Sequence, residues 1–192
     1  MPINRIFIRI VVTCSLLFAV FVHPEKEVLA QESSYRLGPG DFLEISVWKD
    51  ETLSRKVVVP PDGFISFPLI KDIDVTNLTV TKLREEVKNR LVEYIPDATV
   101  TVMLQQVNSL TAYVIGKVNK PGQFPINMDT NVMQILSMAG GLNAFADAGN
   151  ILILRTVKGK TVKIPFNYKK VEKGEDLEQN ILLLRGDVVV VP

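Results

Sequence analysis

Short runs in which apolar and polar residues alternate, each closed by glycine or proline, make up most of this chain. They commit it to β-structure, because a strand turns successive side chains to opposite faces. Leu43, Ile45 and Val47 alternate with Glu44, Ser46 and Trp48 behind the turn sequence Leu37-Gly38-Pro39-Gly40-Asp41. Val57-Val58-Val59 is a β-favouring run that ends at the turn Pro60-Pro61-Asp62-Gly63, and Ile65, Phe67 and Leu69 alternate again beyond it. Glycine and proline supply the backbone angles such turns require. The period changes in two places only. Val80, Leu83, Val87, Leu91 and Tyr94 recur at spacings of three and four, which predicts a helix over 79–95 capped by Thr79 and ended by Pro96. Val132, Ile135, Leu136 and Ala139 predict a second, capped by Thr130 or Asn131 and stopped by Gly140-Gly141.

The remaining segments fit the same scheme. Val100, Val102 and Leu104 share one face of a strand over 99–104, and Leu110 to Ile115 reads as a strand with two apolar faces, closed by Gly116. Lys120-Pro121-Gly122-Gln123 turns into a short extended piece over 124–126. Ile151 to Leu154 is an apolar strand joined through Lys158-Gly159 to Thr161–Ile164. Residues 166–181 are polar and read as a connector. Leu182–Leu184 and Val188–Val191 read as two short strands around Arg185-Gly186-Asp187. Leu37-Gly-Pro-Gly-Asp41 and Leu184-Arg-Gly-Asp187 echo each other as similar turns into strands rather than as a repeat.

Residues 1–30 read as a secretory signal. Arg5 and Arg9 precede an uncharged apolar run from Ile10 to Val22, shorter than the roughly 20 residues a membrane-spanning helix needs. Val28-Leu29-Ala30 offers a cleavage site before Gln31. An uncleaved anchor is the weaker alternative, because Arg9 interrupts any longer run. Lipidation of Cys14 is weaker still, because Val11-Val12-Thr13 is a poor small-residue approach and most of the apolar run lies after it. Cleavage takes Arg5, Arg9 and Lys26 from 22 basic residues and Glu25 and Glu27 from 21 acidic ones, which leaves the rest formally neutral. A neutral chain is a poor fit to a nucleic-acid partner, whose binding needs clustered positive charge.

The same cleavage removes His23 and Cys14, the one histidine and the one cysteine of the sequence. The mature chain then has no residues for a Ser-His-Asp triad, a Cys-His pair, an ordinary zinc site or a disulfide. Gly116-Lys117 lacks the upstream glycine of a phosphate-binding loop. Asp41, Glu44, Asp62, Asp72 and Asp74 are the carboxylates that a glycosidase pair could draw on. Their spacing brings no two together, and Asp41 and Asp62 read as turn residues beside glycine. Trp48 and Tyr113 could stack on sugar rings, although ordinary packing explains them as well. No catalytic residue, metal ligand or cofactor site is assigned.

Residues 37–48, Val59, Asp62-Gly63, Phe67-Pro68-Leu69-Ile70, the helix at 79–95 and the strand at 99–104 together resemble the opening domain of the bacterial polysaccharide export protein family, of the Wza type. Val114-Ile115-Gly116-Lys117-Val118, Lys120-Pro121-Gly122, Phe124-Pro125-Ile126, Ala139-Gly140-Gly141-Leu142 and Ile151 to Arg155 are similar to the SLBB domain, a soluble ligand-binding β-grasp. Arg185-Gly186-Asp187 and Val188 to Pro192 are like the family's last strand. The resemblance covers essentially the whole chain after the leader. The motif positions it singles out are Gly38, Pro39, Gly40, Asp41, Asp62, Gly63, Gly116, Pro121, Gly122, Ala139, Gly140, Gly141, Gly186 and Asp187, all in structural roles.

The expected fold is α+β: a β-rich export domain with one helix, a β-grasp SLBB domain, and a short C-terminal β segment. The expected boundaries are 1–30 for the signal peptide, 31–107 for the export domain, 108–165 for the SLBB domain and 166–192 for the connector and closing strands. The resemblance implies a non-enzymatic component of a capsule or exopolysaccharide export conduit, in the periplasm and associated with the outer membrane. It implies polysaccharide as cargo, a homo-oligomeric ring, and an inner-membrane polysaccharide co-polymerase with a tyrosine kinase as partner. Larger members carry a lipid-bearing cysteine, further SLBB copies and a C-terminal amphipathic helix. Their absence here leads to the expectation of a periplasmic collar that uses a separate outer-membrane β-barrel. The alternative is a monomeric periplasmic glycan-binding scaffold.

Overall fold

The computed structural model describes residues 35–192, which fall within one compact unit. The signal peptide assigned to residues 1–30 lies outside the described residues.

Two hydrophobic cores organise the chain. The first is built on β1 (Phe42–Val47), β2 (Asp50–Val58) and β5 (Val100–Gln106), an antiparallel sheet in the order β2-β1-β5. β1 alternates half-buried and buried residues, and Leu43, Ile45 and Val47 face the core as their period requires. A separate hairpin pairs β3 (Phe64–Phe67) with β4 (Lys71–Asp74) and sets Ile65 opposite Ile73, both buried. Helix α1 (Val80–Leu91) closes this core with Leu83, Val87 and Leu91. Each of those side chains contributes about 1.5–3 kcal/mol by burial. Thr79 caps α1, its hydroxyl accepting from Lys82 N at 3.2 Å.

The helix is shorter than the spacing predicts. It ends at Leu91, and Ile95 and Tyr94 both donate their N–H to the Leu91 carbonyl as the chain tightens. Ile95 therefore takes the last apolar place and Tyr94 points to solvent. β2 and β4 are longer or newer than expected. β2 begins at Asp50 because Trp48-Lys49 forms a tight turn, with Lys49 at φ 63, that pairs Val47 with Asp50. In its first half only Asp50 pairs, the register shifts before Arg55, Thr52 bonds to the Asp50 carboxylate, and Leu53 alone is buried, so no apolar period marks it.

The second core lies under a five-stranded sheet ordered β7-β6-β10-β8-β9. Its strands are β6 (Thr111–Gly116), β7 (Gly122–Pro125), β8 (Ile151–Val157), β9 (Lys160–Phe166) and β10 (Val188–Val191). The last strand enters at the centre, parallel to β6 and antiparallel to β8. Four consecutive valines suit a strand flanked on both sides. Helix α2 (Val132–Met138) packs Val132, Ile135 and Leu136 into this core. Of its two candidate caps, Asn131 fills the role, in a reciprocal capping box with Gln134. Gly140 and Gly141 end the helix by donating to Ser137 and Leu136, 2.9 Å each.

The α+β class expected from the sequence is what the chain adopts. The connector is more ordered than its polarity suggests. Asn167 caps a short helix, α3 (Tyr168–Glu172), and a 3-10 turn follows over Leu177–Gln179. Only one of the two closing strands forms. Leu182 makes a single bridge to Asn131, while Leu183 is drawn into the core.

Candidate functional site between the two cores

The two echoing turns, far apart in sequence, meet in space. In the first, Gly40 at φ +93 lets the chain reverse, and Asp41 folds back so that Oδ2 accepts Gly38 N at 2.9 Å. In the second, Gly186 at φ +81 has the same role and Asp187 Oδ2 accepts Leu184 N at 2.8 Å. Each turn also closes by its backbone, Asp41 N to Gly38 O at 3.2 Å and Asp187 N to Leu184 O at 3.1 Å. Both aspartates are buried, at 0% and 1% exposure, directly before β1 and β10.

A buried carboxylate needs donors for its oxygens. Asp41 receives Asn108 N at 3.1 Å and Ser109 N at 2.9 Å on Oδ1. Its Oδ2 receives the Tyr35 hydroxyl and, at 3.1 Å, that of Ser109. Tyr35 and Ser109 oxygens lie 2.8 Å apart, so two hydroxyl hydrogens serve three close oxygen pairs. Tyr35 donates to the carboxylate, and the Ser109 hydrogen is divided between Asp41 and the Tyr35 oxygen. Burial, and then the hydrogen bond to Asp41, push the Tyr35 hydroxyl up to about 12. Asp187 is answered by an arginine instead. Arg155 reaches it through Nε at 3.0 Å and Nη2 at 2.6 Å, and donates also to the Leu182 carbonyl at 2.8 Å.

Arg185 joins the two turns. Its Nη2 donates to the Arg36 carbonyl at 2.6 Å, and its guanidinium lies 6.0 Å from the centre of the Tyr35 ring. A Cβ at Gly38 would collide with that guanidinium. Beside this junction opens a cleft of about 420 Å³, lined by Arg36, Arg155 and Arg185 with Leu110, Met128 and Leu184. Clefts of this size between packed units are common ligand sites. N–H donors and apolar surface suit the binding of a polar ligand with an apolar face.

Of the motif positions, Gly38, Pro39, Gly40, Asp41, Gly186 and Asp187 converge here. Gly116, Ala139, Gly140 and Gly141 belong to a second cluster, and Pro121 leads from it into β7, which Gly122 opens. There the Asn119 and Lys120 N–H groups donate to Gly141 and Ala139 carbonyls at 3.1 and 2.8 Å, and Gly116 lies against the Val191 carbonyl. Asp62 and Gly63 form a turn elsewhere, where Asp62 Oδ1 accepts Phe64 N at 3.1 Å. Trp48 is 73% exposed at the β1–β2 turn and so packs into neither core. The carboxylates weighed as a catalytic pair are separated by role. Asp41 is buried and saturated, Glu44 accepts from Gln105 at 2.8 Å, Asp72 from Ser66, and Asp74 from Thr76 N at 2.8 Å. Among the described residues no group of three or more His, Cys, Asp or Glu side chains is placed to hold a metal. No helix among them is long and apolar enough to cross a membrane.

Residue types and local spacing gave no signal for Tyr35, Asn108 or Ser109, and Arg155 and Arg185 stood within the family-like segments without a role of their own. The shared Gly-Asp pair ahead of each strand was the one available pointer.

Residues 29–105 match the family described as polysaccharide biosynthesis/export protein, and residues 110–191 match the SLBB domain. The chain is 30% identical over 189 residues to the EPS I polysaccharide export outer membrane protein EpsA of Ralstonia nicotianae, covering 85% of this chain and 49% of that protein. It is 27% identical over 182 residues to the capsule polysaccharide export outer membrane protein CtrA of Neisseria meningitidis serogroup A, covering 83% and 44%. It is 25% identical over 134 residues to the polysialic acid transport protein KpsD of Escherichia coli, covering 69% and 24%. The chain thus spans about half, or less, of the length of these curated relatives.

Proposed function

We propose that this chain, which belongs to the polysaccharide biosynthesis/export protein family and carries an SLBB domain behind its export domain, is a periplasmic, outer-membrane-associated component of a capsule or exopolysaccharide export conduit. The observation that carries this reading is the ordered pair of family matches over 29–105 and 110–191, together with relatives named for polysaccharide export.

The fold supports an assembling role. β2 and β5 end one sheet, and β7 and β9 end the other, so four strands offer an edge on which a neighbouring copy can build. Exposed apolar side chains such as Phe145 and Leu69 add contact surface. A closed ring of copies would carry the glycan through its centre, with transport set by the width and hydration of the hole. In this reading an inner-membrane co-polymerase with its tyrosine kinase delivers the polymer, and a separate outer-membrane β-barrel gives it an exit.

The test is deletion of the gene, with polysaccharide measured outside the cell and in the periplasm. Loss outside, restored by the intact gene, is the expected outcome. Unchanged export rejects the conduit. A glycan-binding scaffold would also bind polymer, and assembly state separates it from a conduit. The purified chain runs as a ring-sized oligomer if it forms a conduit, and as a monomer if it is a scaffold.

A further inference from the structure

The cleft between the two cores combines three features that point to one ligand chemistry. First, Arg36, Arg155 and Arg185 all line it, while the acids beside them are turned inward. Asp41 is saturated by its own donors, and Asp187 is shared between Arg155 and Leu184 N. Three guanidiniums against two inward-facing carboxylates leave one net positive charge, and the guanidiniums are what the cleft presents, in a chain that is near neutral as a whole. Second, the guanidiniums keep donors in reserve. Arg36 commits only Nη1, to the Asn77 carbonyl at 2.9 Å, and Arg155 leaves Nη1 unbonded among the described residues. Third, Leu110, Met128 and Leu184 give the cleft an apolar side.

A planar fork of N–H donors beside an apolar wall fits a sugar ring that bears a carboxylate. The carboxylate takes paired N–H bonds from guanidinium, and the C–H face of the ring lies on the aliphatic surface. We propose that this cleft is a binding subsite for an acidic saccharide, a uronate-type residue, with Arg36 as its principal anion contact, the unbonded Nη1 of Arg155 beside it, and Arg185, whose Nη atoms already serve the Arg36 and Leu37 carbonyls, adding charge. The proposal takes its ligand class from the export reading and its position from the geometry alone. A segment held here touches residues of both cores, because Arg36 precedes the first sheet and Arg155 lies in the second.

The experiment titrates the purified full chain with an oligogalacturonate and, in parallel, with a neutral maltooligosaccharide of equal length. Heat of binding is followed together with the side-chain NMR signals of the arginines. The acidic oligomer is expected to bind, to shift the Arg155 signal and to weaken with added salt. The neutral one is expected not to bind. Arg36→Gln is the decisive variant, because its side chain makes one exposed hydrogen bond and leaves the Tyr35–Asp41–Ser109 network in place. It should weaken oligogalacturonate binding about tenfold, the size expected from losing one charge-assisted contact. Arg36→Gln with Arg185→Gln should abolish it, with thermal unfolding as the check that the chain still folds. Equal binding of both oligomers, no binding of the acidic one, or full binding by Arg36→Gln overturns the proposal. Absent uronate binding in a chain whose deletion stops export overturns the subsite and leaves the export reading. Uronate binding with unchanged export on deletion does the reverse.

Discussion

Ser109 gives Asp41 both its backbone N–H, at 2.9 Å to Oδ1, and its hydroxyl, at 3.1 Å to Oδ2, across 68 positions of sequence. The residue that opens the first strand is thereby tied to the residue that leads into the second sheet. Asp41→Ala would strand two linker N–H groups, the Gly38 N–H and two hydroxyls in a buried place. The expected cost is about 3–5 kcal/mol, because each buried group orphaned without water costs about 1–3 kcal/mol while Asn108 and Tyr35 lie open enough to be hydrated. Asp41→Asn keeps the shape but replaces one acceptor oxygen by a donor that faces donors, and should cost about half as much. Urea unfolding measures both. A loss under 1 kcal/mol for the alanine variant would mean that the junction is not held by this carboxylate.

Alkaline unfolding tests the Tyr35 end of the same network. Burial and the bond to Asp41 raise its hydroxyl from 10.0 to about 12, so the folded state holds that proton more tightly than the unfolded chain does. The stabilisation is complete below about pH 10 and is lost as pH rises towards about 12. Lysines titrate in the same range, so the informative quantity is the difference between the wild type and Tyr35→Phe. That difference should be about 1 kcal/mol near neutral pH and should shrink across the window. A difference that stays flat to pH 12 would place the Tyr35 proton elsewhere.

Arg155 and Asp187 form a pair of the other kind, with a bidentate contact at 3.0 and 2.6 Å and an aspartate that is 1% exposed. Removing one partner of such a pair costs more than removing both, because a single removal leaves a charge without its counterpart. Asp187→Ala should cost about 3–5 kcal/mol. Adding Arg155→Met should return part of that loss, since the methionine stem fills the site without a charge. If the double variant were less stable than the single, Arg155 would be stabilising the fold without Asp187, through its bond to the Leu182 carbonyl.

Much of this architecture could be read along the chain, and what could not has a common cause. β1, α1, α2 and the Lys158-Gly159 hairpin each rest on apolar periods or caps that act within a few residues. Lys158 and Gly159 do adopt the positive φ, 49 and 76, that such a turn needs. The first half of β2 and all of β4 escaped because each buries a single apolar residue, Leu53 and Ile73, which makes no period of its own. Tyr35 looked like part of a polar lead-in, and Asp41 like an ordinary turn residue. Their burial depends on Ser109 and Arg185, which local spacing does not connect to them. The candidate cleft was invisible for the same reason, since Arg36, Arg155 and Arg185 come from three separate segments.

Gly38 and Gly40 share one turn but carry different loads, and substitution separates them. Gly40 sits at φ +93, where any side chain is strained, and an added Cβ would otherwise meet only Asn108 at an ordinary 3.6 Å. Gly40→Ala should therefore cost about 1–2 kcal/mol through the backbone, whatever stands at position 185. Gly38 is crowded by the Arg185 guanidinium, the far end of a flexible side chain that can move away. Gly38→Ala should displace Arg185 from the Arg36 carbonyl and cost about 1 kcal/mol, roughly the worth of that hydrogen bond. The two effects part company in an Arg185→Ala background. Gly38→Ala should become nearly neutral there, because the group it collides with is gone, while Gly40→Ala should keep its full cost. Thermal unfolding of the four combinations measures the coupling. Simple additivity for Gly38 and Arg185 would mean that the two turns do not hold each other.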